Sequence, residues 1–244
     1  MIPTKTVKGW VLPQNEIHFE EVLTTGKEAS ANGEYQKEQR DQALSQVTSF
    51  RRAIDMGACV GFWSRDLCNR FAHVDCFEMY EDNAECLKLN LADKNNYTLH
   101  QVGLSDKRGT NTVYVNEEAI GSASFFSSGV KYTKTTTAKF TKLDDFNFAD
   151  VDFVKIDVQF HELQALRGAR KTLERNSPVL CIECCRRTSD EYIYVARIIE
   201  YLLDLGYEVS GGLRKELFFR KSADAKFRRF FEPALKRLNY TPFS

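Results

Sequence analysis

Apolar residues along this chain follow two rhythms, and the switching between them predicts the fold. Arg52–Met56 is a short apolar run around Asp55, and Trp63, Leu67 and Phe71 then recur every four residues. The first reads as a strand and Phe62–Phe71 as a helix. Val74–Phe77, ending in Glu78, predicts a second strand, and Asp82–Lys94 a helix with Ala84, Leu87 and Leu91 on one face. Tyr97–Val102 predicts a third strand. Between about 107 and 142 the spacing changes. Thr110–Asn116 alternates, Ala119–Gly129 is small and polar around Phe125 and Phe126, and Lys131–Phe140 is rich in threonine. That pattern predicts a β-rich insertion.

After a short turn or helix at Leu143–Phe146, the buried strand Val151–Val158 and the helix His161–Glu174 restore the first pattern, followed by a strand at Val179–Glu183. Tyr192, Val195, Ala196, Ile199, Leu202 and Leu203 mark a long amphipathic helix, with Ser189 as its cap and Gly206 as its stop. Tyr207–Ser210 and Glu216–Arg220 read as a hairpin across Gly211-Gly212. Ala223–Leu238 reads as a basic helix broken near Pro233. Residues 1–50 read as an extension: an irregular lead-in, a polar loop at Thr25–Gly33, and a helical cap at Tyr35–Ser49. Strands alternating with helices predict a doubly wound, mostly parallel α/β sheet over 51–244, with one antiparallel strand from the closing hairpin. Ligands bind such sheets at the carboxyl ends of the strands, beside the switch in strand order.

Composition narrows the function classes. The 244 residues carry 34 Lys+Arg against 34 Asp+Glu, so global charge gives no argument for nucleic acid. No apolar run is long enough to span a bilayer, and the first residues lack a leader-like apolar core, so a cytoplasmic location is the default expectation. Seven cysteines are spread through apolar patterns. Cys181, Cys184 and Cys185 have no second Cys/His pair at zinc spacing, and read as small residues in and after a core strand.

The stretch Ala53–Ser64 carries the first chemistry. It reads as strand, glycine turn and helix, in which backbone amides and a helix N-terminus can approach a ligand. Its D-x-G-x-x-x-G pattern is neither the dinucleotide fingerprint nor a phosphate-binding P-loop. Asp55 at the strand end suits a cationic group. Glu78, about twenty residues after the turn, stands where a carboxylate accepts ribose hydroxyls. Together they fit S-adenosylmethionine better than NAD. Ser105/Asp106, Asp157 and Glu183 also fall at strand ends, on the same rim.

These motifs carry a family resemblance. IDMGACVGFWS at 54–64, FEMYEDNAECLKLN at 77–90, VGLSD at 102–106 and VDFVKIDVQFHELQALRGA at 151–169, with CIE at 181–183, resemble the FkbM family of S-adenosylmethionine-dependent methyltransferases. The resemblance implies a Rossmann-like, seven-stranded sheet. It implies a cofactor site from Asp55, Gly57, Ala58, Cys59, Gly61, Phe62, Glu78, Met79, Leu104, Ser105 and Asp106, with Glu78 on the ribose and 104–106 near the adenine. It places Asp157, His161 and Glu162 at the reaction edge as candidate bases. The implied reaction is methyl transfer to a hydroxyl of a saccharide or small molecule. Two residues depart from the family pattern: Cys59 where Asn is usual, and Phe160 where Gly is common. They keep open a non-catalytic, cofactor-binding or regulatory protein on the same fold. A nucleic-acid base is disfavoured as acceptor, because Asp157-Val158-Gln159-Phe160 contains no proline. The basic tail, Lys226, Arg228, Arg229, Lys236 and Arg237, keeps an anionic acceptor open.

Overall fold

The computed structural model describes residues 2–124, 132–184 and 188–222. The basic helix expected at 223–238, the Phe125–Phe126 part of the insertion and Cys185 lie outside the described residues.

The chain opens with a hairpin, β1 (Thr4–Val7) and β2 (Trp10–Pro13), then α1 (His18–Thr25) and α2 (Lys37–Leu44). The expected irregular lead-in is therefore ordered structure. Its short strands alternate too briefly for a sequence pattern, and tertiary anchors hold them. The Asn90 side chain exchanges hydrogen bonds with the Val11 backbone, at 2.7 and 2.9 Å. The main sheet follows with β3 (Arg52–Met56), α3 (Ser64–Arg70), β4 (His73–Phe77), α4 (Glu81–Asn90) and β5 (Tyr97–His100). The insertion holds β6 (Gly103–Leu104), β7 (Gly109–Val115) and β8 (Lys134–Thr141) in a separate three-stranded sheet. Then come β9 (Val151–Ile156), α5 (Glu162–Gly168), α6 (Arg170–Asn176), β10 (Val179–Glu183), α7 (Ser189–Asp204), β11 (Tyr207–Leu213) and β12 (Glu216–Lys221).

The seven-stranded order is β11-β12-β10-β9-β3-β4-β5. Only β12 runs against its neighbours, as expected for the closing hairpin. Connections leave β3 towards β4 and β9 towards β10, so the switch point lies between β3 and β9. One face packs Leu166, Leu173, Ile198 and Leu202 of α5–α7 against Val154, Ile156 and Leu180. The other packs α2–α4, through Leu44, Leu67 and Leu87, against Ala53, Val74, Phe153, Cys181 and Phe218. The extension thus supplies the helix, α2, that covers the β10–β12 side of that face.

Several expected boundaries move, each for a local reason. The 161–174 helix is two helices. Asp144 accepts from the amides of Lys171 and Thr172 at 3.0 and 2.8 Å, capping α6 from a distance. α7 is capped by Thr188, not Ser189: the Thr188 hydroxyl accepts from Glu191 N. Gly211 and Gly212 lie inside β11, where the register shifts after Val209, and the turn falls at Arg214-Lys215. The third strand ends at His100 because Val102 N folds back to His100 O.

Candidate functional site

The turn after β3 is built by close backbone approach. Gly57 has φ +82°, and a Cβ there would lie 1.9 Å from the Asp157 carbonyl oxygen. Only glycine permits both the conformation and the contact. Gly57 N and Ala58 N both donate to Phe77 O at 2.9 Å, and Gly61 N donates to Ala58 O at 2.8 Å. Cys59 N donates to Glu78 Oε2 at 2.8 Å. The amides of Gly57, Ala58, Cys59 and Gly61, expected as an open cradle, are therefore taken up within the protein. Gly61, at φ +92°, makes room for Leu87 and Leu91 of α4.

Two carboxylates stand at the ends of β3 and β4. Asp55 is buried and accepts from the Ser64 hydroxyl at 2.6 Å. Burial raises it to about 6, against the opposing pull of Ser64 and Lys155. Glu78 accepts from Cys59 N and, at 2.7 Å, from Tyr80 N. Burial raises it to about 7 in spite of these bonds. A carboxylate has roughly four acceptor positions, so Glu78 keeps capacity for hydroxyl donors.

The opposite wall comes from β9, β10 and the β11–β12 turn. Lys155 is buried, with Nζ 3.2 Å from Glu216 Oε2 and 3.6 Å from Asp157 Oδ2. Burial opposes its charge, but Glu216 and Asp157 outweigh that and push the lysine up. Glu216 is raised because burial exceeds the pull of Lys155. Gln159 Nε2 donates to Asp157 Oδ1 at 2.8 Å and to Glu183 Oε2 at 3.1 Å. Gln159 and Phe160 both occupy the left-handed region, at φ 53° and 66°. The turn persists because the Glu162 carboxylate accepts from the amides of Val158 and Phe160, both at 3.2 Å. Burial raises Glu162 to about 7.

These walls enclose a cavity of about 360 Å³, within the range of small-molecule sites. Asp55, Gly57, Ala58, Cys59, Phe62, Glu78, Met79, Leu104 and Asp157 all line it. Gly61, Ser105, Asp106, His161 and Glu162 do not. His161 Nε2 lies 2.9 Å from Ser105 Oγ, and burial lowers its pKa. Ser105 in turn is part of a packing contact: a Cβ at Gly168 would sit 1.9 Å from its carbonyl oxygen. The extension closes one side with His18, Phe19, Glu28 and Tyr35, and the insertion another with Ala119–Ala123. Buried Glu16 joins the two, accepting from Phe19 N at 2.6 Å and Ile120 N at 2.7 Å. Sequence reasoning missed Lys155, Gln159 and Glu216 as site residues. A lysine inside the apolar run VDFVKIDV was the available signal for the first; Glu216 lies on a strand with no motif.

Both departures from the family pattern fall at left-handed positions, Cys59 at φ 51° and Phe160 at φ 66°. Asn and Gly occupy that region most readily. The backbone path is kept although the favoured residues are not.

A mostly parallel doubly wound sheet, with an acid-lined cavity at the carboxyl ends of its strands, is the architecture of the Rossmann-like methyltransferases. Residues 55–209 match the Methyltransferase FkbM domain, and the chain belongs to the FkbM methyltransferase family. Among solved structures, methyltransferase FkbM from Methylobacillus flagellatus KT is 20% identical, with a TM-score of 0.50, over 70% of this chain and 43% of that one. The chain therefore spans less than half the length of that relative. SMU.1697c of Streptococcus mutans, assigned as a methyltransferase and solved in complex with SAH, is 14% identical, with a TM-score of 0.50, over 76% of this chain and 97% of that one. No curated protein matches the sequence. Among the described residues, no helix is long and apolar enough to cross a membrane.

Proposed function

We propose that this chain transfers a methyl group from S-adenosylmethionine to a hydroxyl of a saccharide or small molecule. The observation that carries the reading is the pair of buried carboxylates, Asp55 and Glu78, at adjacent strand ends on one cavity. The cavity suits this cofactor. Glu28, Asp55, Glu78, Asp157 and Glu183 line it against Lys155 and Lys215, a balance that favours a cationic ligand over a pyrophosphate. Glu78 would take the ribose, Asp55 the amino-acid end, and Met79, Val102 and Leu104 the base. When bound, the cofactor supplies an electrophilic methyl group on a sulfonium.

The protein's part is to align the acceptor, exclude water and hold a proton. Alignment alone is worth up to roughly 7–11 kcal/mol of barrier. The extension and insertion cover the cavity from two sides, which supports the exclusion of water. Asp157 lines the cavity; His161 and Glu162 are engaged elsewhere, with Ser105 and with backbone amides. The acidic lining also weighs against a phosphorylated or polyanionic acceptor.

Calorimetric titration with S-adenosylhomocysteine tests cofactor binding. Asp55→Asn and Glu78→Gln are expected to weaken it at least tenfold while the chain stays folded. Unchanged affinity in both variants sinks the reading. Release of S-adenosylhomocysteine from S-adenosylmethionine with a panel of hydroxyl-bearing sugars then separates an enzyme from a non-catalytic binder.

A further inference from the structure

One carboxylate on the cavity wall has no part in holding a nucleoside. Strand order puts β4 and β5 on one side of β3, and β9, β10 and β12 on the other. Glu183 ends β10 on that second side and lines the same cavity as Asp157. The Gln159 amide binds both, at 2.8 and 3.1 Å, so the two carboxylates are clamped to one donor group. Their surroundings differ. Asp157 has the Lys155 ammonium 3.6 Å away, and Lys155 is shared with Glu216. Among the described residues no ammonium lies within ion-pair distance of Glu183. Lys215, on the neighbouring turn, is 3.8 Å from Glu28.

We propose that Glu183 takes the proton of the acceptor hydroxyl, with Gln159 and the Lys155–Asp157 pair as its positioning groups; this rests on the methyl-transfer reading above. The step balances. The acceptor O–H bond breaks and its proton passes to a Glu183 carboxylate oxygen. The electron pair left on the acceptor oxygen forms the new bond to the methyl carbon, and the carbon–sulfur bond breaks with its pair staying on sulfur.

The charges around Glu183 give this a timing. Burial, then the Asp157 and Glu216 carboxylates, push Glu183 well up, while Lys155 and Lys215 oppose them. In the empty chain the protonated form of Glu183 is therefore favoured. A cation delivered to the methyl position favours its ionised form and drives the proton off. The base is then produced only when the methyl donor is in place.

The test counts protons released on ligand binding, by calorimetry at pH 7 in buffers of different ionisation enthalpy. S-adenosylhomocysteine presents a neutral thioether at the reacting position; sinefungin presents an amine there. Sinefungin is expected to release more protons than S-adenosylhomocysteine, by up to about one. Glu183→Gln is expected to erase that difference while S-adenosylhomocysteine affinity stays within about twofold. If Glu183→Gln does not fold, Glu183→Asp, which restores a carboxyl at the same strand end, is expected to keep a measurable difference. A difference that survives Glu183→Gln overturns the proposal, as does wild-type protein with no difference, or a Glu183→Asp chain that binds sinefungin without proton release. Failure of wild-type protein to bind either ligand overturns the cofactor reading itself.

Discussion

Gly168→Ala sets two known effects against each other. Gly168 is the last residue of α5, and alanine in a helix is favoured over glycine by at most about 1 kcal/mol. Opposing that, the new Cβ would lie 1.9 Å from the Ser105 carbonyl oxygen and 2.8 Å from its carbon. Ordinary contact begins near 3.4 Å, so the overlap is about 1.5 Å with backbone atoms that have no rotamer to escape to. Overpacking of this kind costs about 1–3 kcal/mol, and a backbone clash belongs at the upper end. The clash wins by about 2 kcal/mol, which for a chain of this size lowers the melting temperature by about 4–8 °C. Thermal unfolding followed by circular dichroism measures it. A variant as stable as wild type, or more stable, would refute the claim that this glycine exists for the contact between α5 and the 103–105 segment.

Affinity and stability are expected to run in opposite directions with pH. On the proposed reading ionised Asp55 and Glu78 hold the cofactor, so S-adenosylhomocysteine affinity should fall as pH drops through about 7 and about 6; a flat profile between pH 8 and 5.5 counts against both roles. Both groups are raised in the folded chain, so their stabilising contribution is full below the ordinary carboxylate range and is lost as pH rises through those same values. Lys155→Met leaves Glu216 and Asp157 without their shared cation and should cost about 3–5 kcal/mol in urea unfolding, more at pH 8 than at pH 5. Adding Glu216→Gln should recover part of the loss; no recovery would separate the pair. Glu16→Ala strips the acceptor from two buried amides at about 1–3 kcal/mol each, and limited proteolysis should then cut near residues 14–25 first.

The alternating core was legible because each element carries its own period. Arg52–Met56 and Val179–Glu183 fall on the strands their sequences predict. That Asp55, Glu78 and Asp157 line one cavity was legible because each stands at the carboxyl end of a strand. What was not legible is set by partners distant in sequence. The β1–β2 hairpin depends on Asn90, the break between α5 and α6 on Asp144, and the charge network on a lysine and a glutamate 61 residues apart. Two glycines also serve contacts that no sequence pattern announces. Gly57 and Gly168 are each required where one backbone passes within contact of another.

The position of α2 on the far side of the sheet bears on how the chain is made. Ala43, Leu44 and Val47 rest on Cys181 and Phe218, and the Ser210 hydroxyl donates to Gln46 across 164 residues. A growing chain folds from its first-synthesised end. Here, however, residues 43–47 lack part of the surface they cover until β10 and β12 have left the ribosome. The apolar side of α2 is completed only late in translation, and loop closure over that span slows its burial. A ribosome-bound chain stalled before residue 207 should therefore hold the β3–β5 layers in place and leave α2 incompletely covered, with its docking on β12 as a late event of folding.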